Sequence, residues 1–125
     1  MPTSVLVVDD DPEFRALAVR MLAEMGLVVA GEADTLEAAA RAAMRLKPQS
    51  ALVDVGLPDG DGVILARALA ALPWRPRIVL TSTDPEATTE AAAQSAGAVG
   101  FIAKHELPGG RLAALLTGVS NHGYG

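Results

Sequence analysis

The sequence predicts an α/β domain built as a doubly wound, five-stranded parallel sheet with helices on both faces. Three observations carry that expectation. Five short aliphatic runs alternate with five longer stretches of helical apolar spacing, so the chain reads as β-α repeated five times. The first run, Val5–Val8, is apolar without alternation, as a strand covered on both faces must be. The chain has 125 residues, half of them hydrophobic, which is the size of one domain with a real core.

The expected strands are Val5–Val8, Leu27–Ala30, Ala51–Val53, Ile78–Leu80 and Val99–Ala103. The first helix, Pro12–Met25, places Phe14, Leu17, Ala18, Met21, Leu22 and Met25 on one buried face. Pro12 suits its first turn, where a missing N–H costs nothing, and Gly26 follows where a C-terminal glycine belongs. Thr35 and Glu37 open the second helix, Leu36–Leu46, which Pro48 stops. The third, Gly62–Leu72, turns Val63, Leu65, Ala66, Leu69 and Leu72 inward and ends before Pro73. Asp84 is the expected cap of a fourth helix, Pro85–Ser95. The fifth, Pro108–Thr117, has Pro108 in its first turn and Leu112, Leu115, Leu116 and Val119 on its inner side. Leu107, Leu112 and Leu116 read as core, with an association face as the alternative. Residues 1–118 form the domain and 119–125 a glycine-rich tail, so His122 and Tyr124 carry little functional weight.

Composition narrows the function classes. Ten basic residues against 15 acidic ones give a net charge of -5, which disfavours a broad nucleic-acid footprint. With no cysteine there is no disulfide staple and no thiolate, so any bound metal takes oxygen ligands. The opening MPTSVLVVDDDPEF has no basic leader, and its four-residue apolar run is too short for export or membrane spanning. The expectation is a soluble cytoplasmic protein. Its core is aliphatic, with 24 alanines and only four aromatic residues.

In this fold, ligands bind at the carboxyl ends of the strands. Those ends carry Asp9-Asp10-Asp11 after the first strand, Asp54 after the third, Thr81-Ser82-Thr83 after the fourth and Lys104 after the fifth. One aspartate after a strand is an ordinary turn or helix cap; a threonine or lysine there is equally ordinary alone. Their common position on one rim is what gives them weight together. Carboxylates held together need a cation, and oxygen ligands at a tight turn suit Mg²⁺, commonly completed by a phosphate. Asp54 is then a ligand or also a nucleophile, because carboxylates form aspartyl-phosphates. Thr81 by hydrogen bond and Lys104 as a mobile point charge would hold the phosphoryl oxygens.

These residues lie in motifs that resemble the response-regulator receiver domains of two-component signalling. VLVVDDDPEFR resembles the acidic first strand, and ALVDVGLPDGDG the phosphoacceptor strand and loop. IVLTST resembles the switch-hydroxyl strand and GAVGFIAKHELPGG the lysine segment. The likeness covers roughly residues 4–117. It implies a flavodoxin-like three-layer sandwich with strand order 2-1-3-4-5. By the same resemblance Asp54 is the phosphoacceptor, and Asp9, Asp10, Asp54 and the Gly56 carbonyl are ligands for Mg²⁺, or for Mn²⁺ in its place. Thr81 and Phe101 are the switch pair, and Lys104 contacts the phosphate. The implied partners are a sensor histidine kinase or histidine phosphotransfer protein, and an output domain or downstream protein on the face of the fourth helix, fifth strand and fifth helix. A second copy of the chain, forming a homodimer, is a further expected partner.

KHELPGG is most similar to receivers of regulators with a helix-turn-helix output domain, which implies control of transcription through a domain outside this sequence. His105 stands where many members carry proline after the lysine. Phe101 lacks the hydroxyl of a tyrosine, which leaves it packing as its switch role. The chain is expected to be no enzyme apart from accepting and losing its own phosphoryl group. Two alternatives are a stand-alone receiver acting by protein contact or in a phosphorelay, and a phosphohydrolase of the haloacid dehalogenase type. The latter would use Asp9-x-Asp11, yet Glu13 stands where its threonine belongs.

Overall fold

The computed structural model describes residues 2–119; the expected tail, His122 and Tyr124 included, lies outside the described residues from 120 onward. Five strands form one parallel sheet: β1 (Ser4–Val8), β2 (Val28–Ala33), β3 (Ser50–Asp54), β4 (Arg77–Ser82) and β5 (Gly100–Ala103). Their spatial order is β2-β1-β3-β4-β5, the order implied above. The helices are α1 (Pro12–Glu24), α2 (Leu36–Leu46), α3 (Gly62–Ala70), α4 (Glu90–Ser95) and α5 (Arg111–Thr117). A two-residue antiparallel hairpin, Gly56–Leu57 with Gly60–Asp61, follows β3.

Side chains alternate along each strand, so the sheet divides the core in two. Val5, Val7, Leu52, Val79 and Ile102 pack with Ala18 and Leu22 of α1 and Leu112 and Leu116 of α5. Leu6, Val8, Val53, Ile78 and Leu80 pack on the other side with alanines of α2, Leu65 and Leu69 of α3, and Ala93 of α4. Each fully buried leucine here stabilises the fold by about 1.5–3 kcal/mol. Leu107, Leu112 and Leu116 are among the buried core residues.

Several boundaries differ from expectation, each for a physical reason. α4 starts at Glu90, where the Thr89 hydroxyl accepts the Ala92 N–H at 3.0 Å. Asp84 instead closes a turn, accepting the Glu86 N–H at 2.9 Å, so Pro85 lies outside the helix. Pro108 also precedes its helix: Lys104–Glu106 forms a 3-10 turn, and α5 begins only after Gly109-Gly110. β2 runs on to Ala33 because an edge strand tolerates Glu32 and continues pairing with Val8 of β1. Two expected inward residues are outside: Leu17 is 51% exposed, and Val119, beyond the end of α5, is 66% exposed. The Lys104–His105 peptide is trans, and His105 is exposed.

Candidate functional site

The three adjacent aspartates after β1 perform three different tasks. Asp9 is fully buried; its backbone N–H still donates to Ala33 of β2 at 3.0 Å, so the sheet holds it in place. Its Oδ1 accepts the Asp11 N–H at 2.9 Å, and its carbonyl accepts Arg15 Nη1 at 2.7 Å. Asp10 is exposed on the rim. Asp11 is the cap of α1, its Oδ1 accepting the Glu13 N–H at 3.0 Å.

Asp54 ends β3 and is only 8% exposed. Its Oδ1 accepts the Gly56 N–H at 3.3 Å, a bond that the turn into the hairpin supplies. Burial pushes the Asp54 carboxyl above the ordinary range, and the charge of Asp9 pushes it further; the Lys104 ammonium and the Gly56 N–H oppose this. Lys104 Nζ forms an ion pair with Asp9 Oδ2 at 2.7 Å and lies 3.8 Å from Asp54 Oδ2. The same ammonium sits 4.1 Å from the centre of the Phe14 ring, whose face favours a cation there.

Asp9, Asp10 and Asp54 each offer a carboxylate oxygen within 4.8 Å of the others. Three carboxylates against one ammonium leave an excess of negative charge. The buried Asp9 Oδ2 meets only that ammonium among the described residues. An all-oxygen cluster in which three carboxylates face one ammonium fits a hard divalent cation such as Mg²⁺.

Thr81 is the register partner of Asp54 across the β3–β4 pair, so the hydroxyl-bearing and acidic strand ends are side by side. The Thr81 hydroxyl is fully buried and donates to the Ile102 carbonyl of β5 at 2.6 Å. Phe101, one residue earlier in β5, is buried in the core layer that contains Leu80 and Ala93. Asp9, Asp10, Asp54, Thr81 and Lys104 thus lie at or next to the carboxyl ends of the strands, while Phe101 lies earlier in β5.

Some contributors were not legible beforehand. A Cβ on Gly62 would overlap the Asp54 carbonyl oxygen, so glycine is what lets α3 start directly against the end of β3. The Gly62 N–H donates to Val55 O at 2.7 Å and fixes that contact. Asp59 caps α2 from another loop, its two oxygens accepting the Leu36 and Glu37 N–H groups at 2.7 and 3.1 Å. The hydrogen bond from Leu36, then that from Glu37, holds its carboxyl below the ordinary range. Spacing within GLPDGDG gives no sign of a partner more than twenty residues away.

Comparison with known proteins places this geometry. The profile of the response regulator receiver domain matches residues 5–116. The KDP operon transcriptional regulatory protein KdpE of Escherichia coli is 36% identical over 102 residues, covering 82% of this chain and 44% of that protein. Among solved structures, the signal receiver domain of NarL from Mycobacterium tuberculosis is 32% identical with a TM-score of 0.80, covering 97% of this chain and 98% of that one. The beryllofluoride-activated N-terminal receiver domain of RstA from Klebsiella pneumoniae is 28% identical with a TM-score of 0.77, covering 94% and 99%. The chain spans about half the length, or less, of the curated relatives it matches.

Proposed function

The chain belongs to the response regulator receiver domain family, and from that premise we propose that it is a phosphorylation switch whose acceptor is Asp54. One observation carries the reading: a buried carboxylate at a strand end has an ammonium 3.8 Å away and a threonine as its register partner. Asp11, bonded to its own helix, is spent as a cap, which speaks against an Asp9-x-Asp11 hydrolase.

Asp9, Asp10 and Asp54, with the Gly56 carbonyl, would hold Mg²⁺ or Mn²⁺. When bound, that ion supplies the positive charge needed to bring an anionic phosphoryl group up to three carboxylates. An Asp54 carboxylate oxygen attacks the phosphorus of a donor phosphohistidine in line. The O–P bond forms as the N–P bond breaks, and the imidazole keeps that electron pair. Lys104, already between Asp9 and Asp54, balances the phosphoryl oxygens. Thr81 then exchanges the Ile102 carbonyl for a phosphoryl oxygen, and Phe101 repacks into the space released. The face of α4, β5 and α5 changes its partner preference as the population shifts.

The donor has to reach Asp54 over the rim beside Lys104. A groove of about 460 Å³ lies there, lined by Phe14, Leu17, Met21, Lys104, Leu107 and Pro108. Its apolar wall, including the half-exposed Leu17, suits a helix of a kinase or phosphotransfer protein. KdpE is a transcriptional regulatory protein by name. On that likeness the output is control of transcription by a separate DNA-binding unit in the cytoplasm, with residues 1–118 as the receiver and 119–125 as a tail. No helix among the described residues is long and apolar enough to cross a membrane.

The test is intact mass after incubation with acetyl phosphate and Mg²⁺. Wild type should gain one phosphoryl group, while Asp54→Asn, or wild type with EDTA, gains none. An adduct that persists in Asp54→Asn moves the acceptor elsewhere. If no adduct accumulates, binding of beryllofluoride with Mg²⁺ separates rapid loss from an incompetent pocket.

A further inference from the structure

The backbone of Phe101 is held from outside the sheet by two side chains. β5 is an edge strand, pairing with β4 alone, so its outward N–H and C=O groups need other partners. Glu90, the first residue of α4, accepts the Phe101 N–H on Oε2 at 3.1 Å. Arg111, the first residue of α5, donates Nη1 to the Phe101 carbonyl at 3.2 Å and Nη2 to Glu90 Oε1 at 2.5 Å. The three groups close a ring around one residue. Gly100 leaves the room for it, since a Cβ there would come within 3.0 Å of Glu90 Oε1 and 3.4 Å of Arg111 Nη2.

An ion pair whose side chains are 42% and 51% exposed contributes little to stability by itself. Its leverage comes from where it bonds. Phe101 immediately precedes Ile102, whose carbonyl holds the Thr81 hydroxyl. Consecutive residues of one strand therefore carry the hydroxyl's resting partner and the ring that must repack.

We propose that Glu90 and Arg111 are a latch, positioning residues that hold Phe101 in the unphosphorylated arrangement and so set how readily the switch turns. The inference rests on the phosphorylation-switch reading. Repacking of Phe101 is resisted while both its N–H and its C=O are pinned. Opening the latch raises the population of the other arrangement and tightens phosphoryl binding without touching Asp54. Linkage is reciprocal, so an occupied acceptor site loosens the Glu90–Arg111 pair by the same factor.

Beryllofluoride titrations in saturating Mg²⁺ test this, with wild type beside Glu90→Gln, Arg111→Gln, the double variant and Arg111→Lys. Each glutamine variant should lower the half-saturating concentration about fivefold, equivalent to about 1 kcal/mol. The double variant should match the singles, because the pair acts as one unit. Arg111→Lys keeps the charge but not the fork, and should fall between wild type and Arg111→Gln. It also carries the test should the glutamine variants fail to fold. Amide exchange at Phe101 should speed up in the variants and in beryllofluoride-bound wild type. A merely structural role predicts a lower Tm with unchanged or weaker binding. That result, with wild type binding normally, overturns the latch alone. A wild type that binds no beryllofluoride overturns the switch reading and the latch with it.

Discussion

At the carboxyl ends of the strands, three carboxylates share one ammonium, and the charge does not balance. At the amino ends, two cations are answered by neutral groups. Lys47 lies 5.9 Å from the Trp74 ring centre, and Arg77 Nε donates to the Leu115 carbonyl at 2.7 Å. Trp74 Nε1 donates to Pro48 O at 3.0 Å, and Ser4 and Gln49 exchange bonds of 3.0 Å in both directions. One sheet thus has a settled end and an unsettled end. The settled end closes its hydrogen bonds within the chain. The unsettled end keeps three carboxylates in mutual repulsion against one ammonium, an imbalance that a cation from outside the chain would relieve. Uncompensated charge distinguishes the rim that carries the candidate site.

The contrast is breakable, and the largest effect should come from Gly62→Ala. Its Cβ meets the Asp54 backbone, so the start of β3's loop must shift, at a cost of about 2–3 kcal/mol. Urea unfolding should show it, together with slower phosphoryl acceptance; an unchanged midpoint would mean this contact gives way freely. At the settled end, Trp74→Phe loses the bond to Pro48 and should cost about 1 kcal/mol. Acceptance of the phosphoryl group should stay at the wild-type rate, and a change there would erase the division between the two ends.

Asp54→Asn should do the opposite and raise Tm by a few degrees without divalent ions. Because the folded carboxyl is held above its ordinary range, the folded state binds that proton more tightly than the unfolded state. Ionising Asp54 therefore costs stability at neutral pH. The advantage of the variant should shrink as pH falls through the range just above that of an ordinary carboxylate, where wild type takes up its proton. Mg²⁺ should stabilise wild type more than Asp54→Asn, which scanning calorimetry at two Mg²⁺ concentrations reads directly.

Asp59→Asn should have the smallest effect, a slight fall in Tm at neutral pH. Its carboxyl is held low by the Leu36 and Glu37 N–H groups, so its stabilisation is present above the ordinary carboxylate range. It is lost as pH falls through the depressed value, and variant and wild type should then converge. A difference that persists in acid would show that Asp59 acts through packing instead of charge.

The sequence by itself determined the layering and the identity of the rim. Unbroken aliphatic runs separated by helical spacing admit little besides a covered parallel sheet, and such a sheet collects its strand ends on one side. Asp9, Asp10, Asp54, Thr81 and Lys104 were legible because each follows an apolar run. What only tertiary structure decided depends on partners distant in sequence. Thr89, and not Asp84, caps α4, because the Asp84 oxygen closes a local turn first. Asp59 caps a helix twenty-three residues upstream. Gly62 is required by a backbone that no local pattern announces, and Glu90 meets Arg111 across an edge strand. Periodicity records which face of an element is buried. Side-chain hydrogen bonds between elements follow from their docking, and docking is a property of the whole packed chain.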